Sequence, residues 1–163
     1  MKKALITGIT GQDGSYLAEY LLSLDYEVYG LYRRISSVQE QSNLAKIEDH
    51  SNLYLIEGDI TDAALIFRLV RDLQPEEMYS LAAMSHVGQS FKEPIQTFRT
   101  NAEATIIQLE AIKEHSLKTK YYFAGTSECL GGLACPENGY NEDSPFNPRS
   151  PGAFVLRKSA SWT

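Results

Sequence analysis

Three regularly spaced glycines, Gly8, Gly11 and Gly14, stand between a short apolar run and a helical pattern. Gly8 allows a tight turn out of a strand, Gly11 lets the backbone approach a pyrophosphate, and Gly14 lets the next helix lie close to the sheet. The unpaired N–H groups and the dipole at the start of that helix favour an anion. The sequence therefore predicts a dinucleotide-binding turn, which comprises Gly8, Ile9, Thr10, Gly11, Gln12, Asp13 and Gly14. The alternative is an ordinary glycine-rich turn.

Two arginines, Arg33 and Arg34, follow the second predicted strand, about 20 residues after the glycines. A site for NAD usually has Asp or Glu there to bind the ribose 2′-hydroxyl, and no acid lies nearby. A guanidinium group can bind a 2′-phosphate with two parallel hydrogen bonds. We therefore expect NADP as the cofactor, with Arg33 binding its phosphate. The alternative is that both arginines only solvate a loop.

Segments after the third and fourth predicted strands complete the expected cofactor site. Asp59 can accept a hydrogen bond from an adenine amino group, and the backbone at Ile60 can frame the ring. Small residues after strand four would let the cofactor lie against the backbone, in the segment Leu81, Ala82, Ala83, Met84 and Ser85. Taken alone, the two alanines would be only small core residues. The neighbouring His86 is interpreted as satisfied by local hydrogen bonds rather than as a ligand or an acid–base group.

The elements that must position these residues alternate between strands and helices. Strands are predicted at residues 3–7, 27–32, 52–57, 77–81 and 120–125, and helices at 14–24, 62–73 and 94–115. Strands separated by helices indicate right-handed crossovers, and hence an α/β fold with a Rossmann-type doubly wound parallel sheet. Residues 34–51 are polar and are expected to form a solvated surface loop or a loosely held insertion. We expect residues 1–163 to form one NADP-binding domain, irregular from residue 131 where a substrate-side region starts.

Composition excludes several classes of function. The chain has 163 residues and a net charge of −6, without a basic stripe, so nucleic acid is not expected as a partner. No apolar run approaches the roughly 18 residues of a membrane span, and the start of the chain does not resemble a signal peptide. Cys129 and Cys135 have no histidines nearby, so neither a zinc site nor a disulfide framework is indicated. We expect a soluble cytoplasmic protein without a metal.

Residues 4–19 closely resemble the opening of GDP-mannose 4,6-dehydratases, in the extended short-chain dehydrogenase/reductase superfamily. The segments Gln12–Ser15 and Thr126–Glu128 separate this family from most other sugar-nucleotide epimerases and dehydratases. The resemblance also includes residues 33–34, 58–62, 74–77, 81–87, 90–91, 109–112, 145–146 and 148–151. It therefore extends over almost the whole chain.

The resemblance implies an NADP-dependent conversion of GDP-mannose to GDP-4-keto-6-deoxymannose, a precursor of GDP-fucose and GDP-rhamnose. Glu128 matches the family base that removes the C5 proton, and Thr126 matches the hydroxyl that hydrogen-bonds the reacting sugar oxygen. Ser127 would help to place the sugar. Without the resemblance, these three residues are a polar strand end with a capping hydroxyl. Related dehydratases form dimers or tetramers, so a homo-oligomer is expected.

One family motif is missing from the chain. The family has a Tyr-x-x-x-Lys pair after an Arg-Ser-Pro segment, but here Gly152 stands at the tyrosine and Leu156 at the lysine. Alignment backward from Trp162 instead shifts the register by one and puts Arg157 at the lysine position, with Lys158 beside it. Tyr140 lies in a turn-like stretch and is an unconvincing substitute. Loss of a general base typically reduces the rate by about 10²–10⁴-fold, so we expect impaired activity.

Three hypotheses follow from this pattern. The first is a GDP-mannose 4,6-dehydratase or its N-terminal part, lacking most of the C-terminal substrate lobe because the sequence stops at Thr163. The second is a catalytically inactive NADP-binding module. The third is another sugar-nucleotide epimerase or reductase, which Glu128 disfavours because such enzymes need no carboxylate for C5 deprotonation. A further departure is Gln96, where the family commonly has a tyrosine near the cofactor.

Overall fold

Five parallel strands form one sheet in the computed structural model, which describes residues 1–34, 43–131, 137 and 139–152. The order across the sheet is β3-β2-β1-β4-β5. The strands are β1 (Lys3–Thr7), β2 (Glu27–Tyr32), β3 (Leu53–Glu57), β4 (Glu77–Ser80) and β5 (Lys120–Phe123). This order is that of a Rossmann sheet and reverses between β1 and β4, the place where such sheets bind ligands. The predicted α/β fold class is confirmed.

Helices connect these strands. They are α1 (Gln12–Ser23), α2 (Ala63–Leu73), α3 (Val87–Lys92), α4 (Pro94–Phe98) and α5 (Ala104–His115). A π-helical turn at Arg99–Glu103 joins α4 to α5, and a 3₁₀ turn occupies Ser127–Leu130. Among the described residues, no helix combines the length and apolar character that a membrane crossing requires.

The chain divides into two compact units. Unit one comprises Met1–Ala83 and Ile106–Ala124, and unit two comprises Met84–Thr105 and Gly125–Thr163. Unit one therefore contains the whole sheet with α1 and α2. Unit two contains α3, α4, the π-helical turn and the 3₁₀ turn.

The core of unit one forms around β1, whose apolar residues lie between β2 and β4. Ala4, Leu5 and Ile6 are completely buried, because a central parallel strand is covered on both faces. Ile9, just after β1, is also fully buried. Its side chain fills the space above Gly30 of β2, where a Cβ would lie 2.8 Å from Ile9 Cγ2. Trimming such a core side chain to alanine typically costs about 2–5 kcal/mol.

Helix α2 begins where the sequence predicts. Asp62 is its N-cap, and the carboxylate accepts a hydrogen bond from the amide of Leu65 at 3.1 Å. Gln74 ends the helix in the left-handed region, with φ of 48°. Both boundaries follow from local capping chemistry, since an Asx cap satisfies an orphan N–H group and Pro75 cannot continue the helix.

The predicted solvated loop at residues 34–51 is wrong at Leu44 and Ile47. Both side chains are buried, at 4% and 9% exposure, in the cluster formed by β1, β2 and α1. Asn43 reinforces this docking, because its Nδ2 donates to the carbonyl oxygen of Thr10 at 2.8 Å. Two apolar residues three apart in a polar stretch gave no periodic signal. Residues 35–42 lie outside the described part of the chain.

The predicted helix at residues 94–115 is helical throughout but not uniform. Its N-terminal part is α4, and the π-helical turn separates α4 from α5. Helix α3 was not predicted. It starts at His86, whose Nδ1 accepts a hydrogen bond from the amide of Gln89 at 3.1 Å. This contact confirms the interpretation of His86 as locally satisfied.

Candidate functional site

The glycine turn in unit one is shaped by close backbone contacts. Gly8 has φ of +74°, which disfavours any residue with a Cβ, and a Cβ there would lie 2.9 Å from the amide nitrogen of Ala82. A Cβ at Gly14 would lie 2.8 Å from Ile9 Cα. The amide of Gly11 donates to the carbonyl oxygen of Gly8 at 3.0 Å, which closes the turn. Gly8 and Gly14 therefore have tasks that no other residue could perform here.

Helix α1 presents its N-terminus to this turn without a side-chain cap. Gly11 is the N-cap, in an extended conformation, and offers no side chain to the first-turn N–H groups. Those groups have no acceptor inside the helix. Gln12 and Asp13 are exposed, and the Asp13 carboxylate supplies negative charge in the first turn. The bare backbone fits a dinucleotide pyrophosphate, since a pyrophosphate would provide the missing acceptors.

The predicted cofactor residues of unit one lie at one edge of the sheet. Thr7 is level with Leu31 on β2 and with Ser80 on β4, and Tyr32 is level with Glu57 on β3. The residues that follow these strands are therefore neighbours at the carboxyl edge. They are Gly8 after β1, Arg33 after β2, Gly58 and Asp59 after β3, and Leu81 after β4.

The two arginines after β2 are exposed at this edge. Within the described residues, the structure pairs neither Arg33 nor Arg34 with a carboxylate. Gly58, which follows β3, donates its amide to the carbonyl oxygen of Tyr32 at 2.9 Å. A guanidinium group here is available to an external anion.

One carboxylate oxygen of Asp59 is already hydrogen-bonded within its own turn. Its Oδ1 accepts from the amide of Thr61 at 2.9 Å and from the Thr61 hydroxyl at 2.7 Å. The second carboxylate oxygen retains its capacity to accept from an amino group. Ile60 beside it is buried, at 7% exposure, so only its backbone can face a ligand.

The segment after β4 is held by Thr7. This residue is completely buried, and its hydroxyl oxygen accepts from the amides of Leu81 and Ala82, each at 3.2 Å. Ala82 lies against Gly8, and Ala83 is exposed. The reading of both alanines as core residues therefore does not describe Ala83. Met84 and Ser85 continue the segment in unit two, and Ser85 is exposed.

The residues Thr126, Ser127 and Glu128 lie in unit two, at the start of the 3₁₀ turn. Thr126 is the N-cap, and its hydroxyl oxygen accepts from the amide of Glu128 at 3.2 Å. Ser127 and Glu128 are exposed. The hydroxyl is thus a capping group, and its own hydrogen can still be donated to a ligand.

A second contact shapes the same turn. Gly131 has φ of +62°, and a Cβ there would overlap the carbonyl group of Asn147. The amide of Asn147 donates to the carbonyl oxygen of Cys129 at 2.8 Å. The turn that carries Glu128 is therefore fixed to the segment that leads into Pro148 and Arg149.

Gly152 occupies the position at which the family has its tyrosine. This residue is buried in unit two, and a Cβ there would make ordinary contacts with Ser90 and Thr97 at 3.5 and 3.7 Å. Leu156, Arg157 and Lys158 lie outside the described residues. Gln96, the other departure, donates from Nε2 to the Thr100 hydroxyl at 3.4 Å.

Two buried polar residues, Thr7 and Asn101, were not found from the sequence. Thr7 closes β1 directly before Gly8, a position that could have indicated a bond to the next strand. Asn101 is 1% exposed in the middle of a helical stretch. A polar residue on the buried stripe of a helix was the only available signal, and it does not identify a partner.

The chain is similar to known sugar-nucleotide enzymes in sequence. Residues 5–154 match the family model described as GDP-mannose 4,6 dehydratase. A GDP-mannose 4,6-dehydratase of Yersinia enterocolitica is 46% identical over 99% of this chain and 44% of its own length. GDP-mannose 4,6 dehydratase 2 of Arabidopsis thaliana is 45% identical, again over 99% of this chain and 44% of the plant protein. The chain thus spans a little under half the length of these relatives.

Solved structures show the same architecture. The Bordetella bronchiseptica enzyme WbmH, solved in complex with NAD+, superimposes with a TM-score of 0.82 at 30% sequence identity. The match covers 98% of this chain and 51% of that enzyme.

Proposed function

Because this chain belongs to the GDP-mannose 4,6-dehydratase family, we propose that it serves the NADP-dependent conversion of GDP-mannose to GDP-4-keto-6-deoxymannose. The observation that carries this proposal is the alignment of Gly8, Arg33 and Asp59 at the carboxyl ends of β1, β2 and β3. These residues would contact the pyrophosphate, the 2′-phosphate and the adenine of one dinucleotide. We propose residues 1–163 as the NADP-binding domain of this activity.

The preference for NADP over NAD rests on the arginines. Arg33 and Arg34 are exposed where NAD-binding relatives of this fold usually carry an acid, and the described residues give them no carboxylate partner. The Bordetella neighbour was solved with NAD+, so the sheet itself does not select the phosphate. The bound dinucleotide supplies the hydride acceptor and donor that the reaction needs. The arginines supply the discrimination between the two dinucleotides.

The Thr126–Glu128 turn is proposed to act on the sugar. Glu128 is exposed and ends in a carboxylate that can remove the proton from C5 once C4 is a carbonyl. Thr126 would donate its hydroxyl hydrogen to the sugar oxygen at C4, while its oxygen holds the Glu128 amide. Ser127, exposed beside them, would orient the sugar. One short turn would therefore carry both the hydrogen-bond donor and the base.

A second candidate function is cofactor binding without turnover. Gly152 stands where the family has its tyrosine, and glycine cannot exchange a proton. Such a chain would bind NADP+ and release little or no product from GDP-mannose. The glycine turn and the arginines serve this function as well as the first.

Two measurements test and separate these functions. Calorimetric titration of the chain should give NADP+ binding at least about tenfold tighter than NAD+ binding. Micromolar affinity for NAD+ with none for NADP+ would refute the role of the arginines. Incubation with GDP-mannose and NADP+ should yield little product, and turnover like that of an intact relative would show that the Tyr-x-x-x-Lys pair is dispensable.

Assembly and location are also proposals. A homo-oligomer follows from the family resemblance, and size-exclusion chromatography with light scattering would measure it. A cytoplasmic location follows from the proposed cofactor and nucleotide sugar, and cell fractionation would test it.

A further inference from the structure

Asn101 binds the backbone of Met84 with both polar atoms of its side chain. Its Oδ1 accepts from the Met84 amide at 2.8 Å, and its Nδ2 donates to the Met84 carbonyl oxygen at 3.1 Å. The side chain is buried, at 1% exposure, and both residues belong to unit two. An ionised carboxylate of the same size has no donor, and an alkyl side chain has neither a donor nor an acceptor. The contact therefore depends on the residue type.

The π-helical turn at Arg99–Glu103 delivers Asn101 to this contact. A π-helical turn contains one residue more than the same turn of an α-helix, so it rotates the following side chains by roughly 100°. Thr105 satisfies part of the backbone that the wide turn leaves open, because its buried hydroxyl donates to the Asn101 carbonyl oxygen at 2.9 Å. Such turns occur frequently at functional sites. Asn101 is thus held through its side chain by Met84 and through its carbonyl oxygen by Thr105.

The residue that Asn101 holds lies in a segment without regular secondary structure. Residues 81–86, between β4 and α3, belong to neither a strand nor a helix. In unit one, the Thr7 hydroxyl holds the amides of Leu81 and Ala82. In unit two, Asn101 holds Met84. Two buried polar side chains therefore add to the backbone hydrogen bond that the Leu81 amide donates to the Thr7 carbonyl oxygen at 3.3 Å, and hold the residues that follow it.

We propose that Asn101 is a positioning residue for the dinucleotide, acting through the backbone of Met84. The inference rests on the proposed function, in which residues 81–85 lie against the cofactor. A segment that is already ordered loses less conformational freedom when a ligand binds, so its affinity is higher. Removing the amide leaves the Met84 N–H and C=O without partners and frees the segment to move.

Calorimetric titration with NADP+ tests this role in the intact chain and in three variants. Asn101→Leu removes both hydrogen bonds, and we expect binding about tenfold weaker than that of the unmodified chain. Gln108→Leu is the matched control, because Gln108 is a completely buried amide on α5 with an unpartnered Nε2. The control should retain the affinity of the unmodified chain. Hydrogen exchange at the Met84 amide should accelerate in Asn101→Leu and not in Gln108→Leu.

Asn101→Asp gives an independent readout if the leucine variant does not fold. An ionised carboxylate keeps the acceptor for the Met84 amide but repels the Met84 carbonyl oxygen. A protonated carboxyl offers both an acceptor and a donor, as the amide does. The ratio of its Kd to that of the unmodified chain at the same pH should therefore fall as the pH is lowered.

The outcomes separate this inference from the proposed function. If the unmodified chain binds neither NADP+ nor NAD+, the proposed function fails, and the Asn101 role fails with it. If the unmodified chain binds NADP+ and the folded Asn101 variants bind it equally well at every pH, only the role of Asn101 is overturned. Weaker binding in the folded Asn101 variants, with the control unchanged, supports it.

Discussion

The amide of Gly8 donates a hydrogen bond to the carbonyl oxygen of Leu31 at 3.0 Å. This bond extends the pairing of β1 and β2 by one residue beyond Thr7, into the glycine turn. Arg33 follows Leu31 by two residues, so the turn and the arginine are attached to the same backbone contact. The proposed phosphate-binding groups thus share a rigid support.

The Gly8→Ala substitution should destabilise the fold and abolish dinucleotide binding. The added Cβ would meet the backbone of Ala82, and φ of +74° is unfavourable for alanine. We expect a loss of about 2–4 kcal/mol in the free energy of unfolding, measured by urea denaturation. Gly139→Ala is the control, since Gly139 has φ of +77° but nothing within 4 Å of a Cβ. Equal losses in both variants would show that the contact with Ala82 is unimportant.

The Arg33→Ala substitution should weaken NADP+ binding by about tenfold or more and leave NAD+ binding unchanged. A charge-assisted hydrogen bond contributes about 1.5–3 kcal/mol, and only NADP+ carries the phosphate that receives it. Parallel titrations with the two dinucleotides measure the difference. Arg68→Ala removes the same charge from the exposed surface of α2 and should alter neither affinity. A parallel loss for both dinucleotides in Arg33→Ala would contradict a phosphate-specific role.

The Glu128→Gln substitution should block C5 deprotonation and leave NADP+ binding intact. Glutamine retains the size of the side chain but cannot accept the proton, so turnover should fall by about 10²–10⁴-fold. Product formation from GDP-mannose is to be measured in a longer form of the protein that shows turnover. Glu142→Gln serves as the control, because Glu142 is an exposed carboxylate of unit two. Unchanged turnover in Glu128→Gln would remove this residue from the role of base.

Two tyrosines of unit one should make the fold sensitive to alkaline pH. Burial, followed by the hydrogen bond to Glu77, raises the pKa of Tyr79 from 10.0 to about 12. Burial, followed by the hydrogen bond to Glu27, raises the pKa of Tyr29 to about 12 as well. The folded state therefore holds these protons more tightly than the unfolded state. Their contribution to stability is complete below about pH 10 and is lost as the pH rises towards 12.

Urea denaturation at about pH 9 and about pH 11.5 measures this loss. In Tyr79→Phe the decline between the two pH values should be smaller, because the residue no longer titrates. Tyr20→Phe is the control, since Tyr20 is 61% exposed on α1. An equal decline in Tyr79→Phe and the unmodified chain would exclude the hydrogen-bonded phenol as the cause.

Local chemistry explains which elements could be predicted. Strand β2 was predicted with its observed bounds, and helix α2 was predicted to within one residue. Periodicity and capping act over a few residues, so a sequence displays them directly. The parallel sheet followed from the crossover rules for alternating strands and helices.

The features that could not be predicted depend on distant contacts. Leu44 and Ile47 are buried against residues of β1, β2 and α1 that are distant in the sequence. The polar residues next to them in the sequence give no sign of this contact. The π-helical turn exists where Asn101 meets Met84, a residue 17 positions away. At the candidate site, residue types predicted the glycine turn. The hydrogen bond from the Leu81 amide to the Thr7 hydroxyl oxygen became apparent only in the structure.

The occupation of the space above Gly30 by Ile9 links two positions that are 21 residues apart in the sequence. A side chain at position 30 would have to displace Ile9, because its Cβ would lie in the space that the Ile9 side chain fills. Across natural variants, a larger residue at position 30 should accompany a smaller one at position 9. The glycine turn is thus under a packing constraint from the second strand, independent of any ligand.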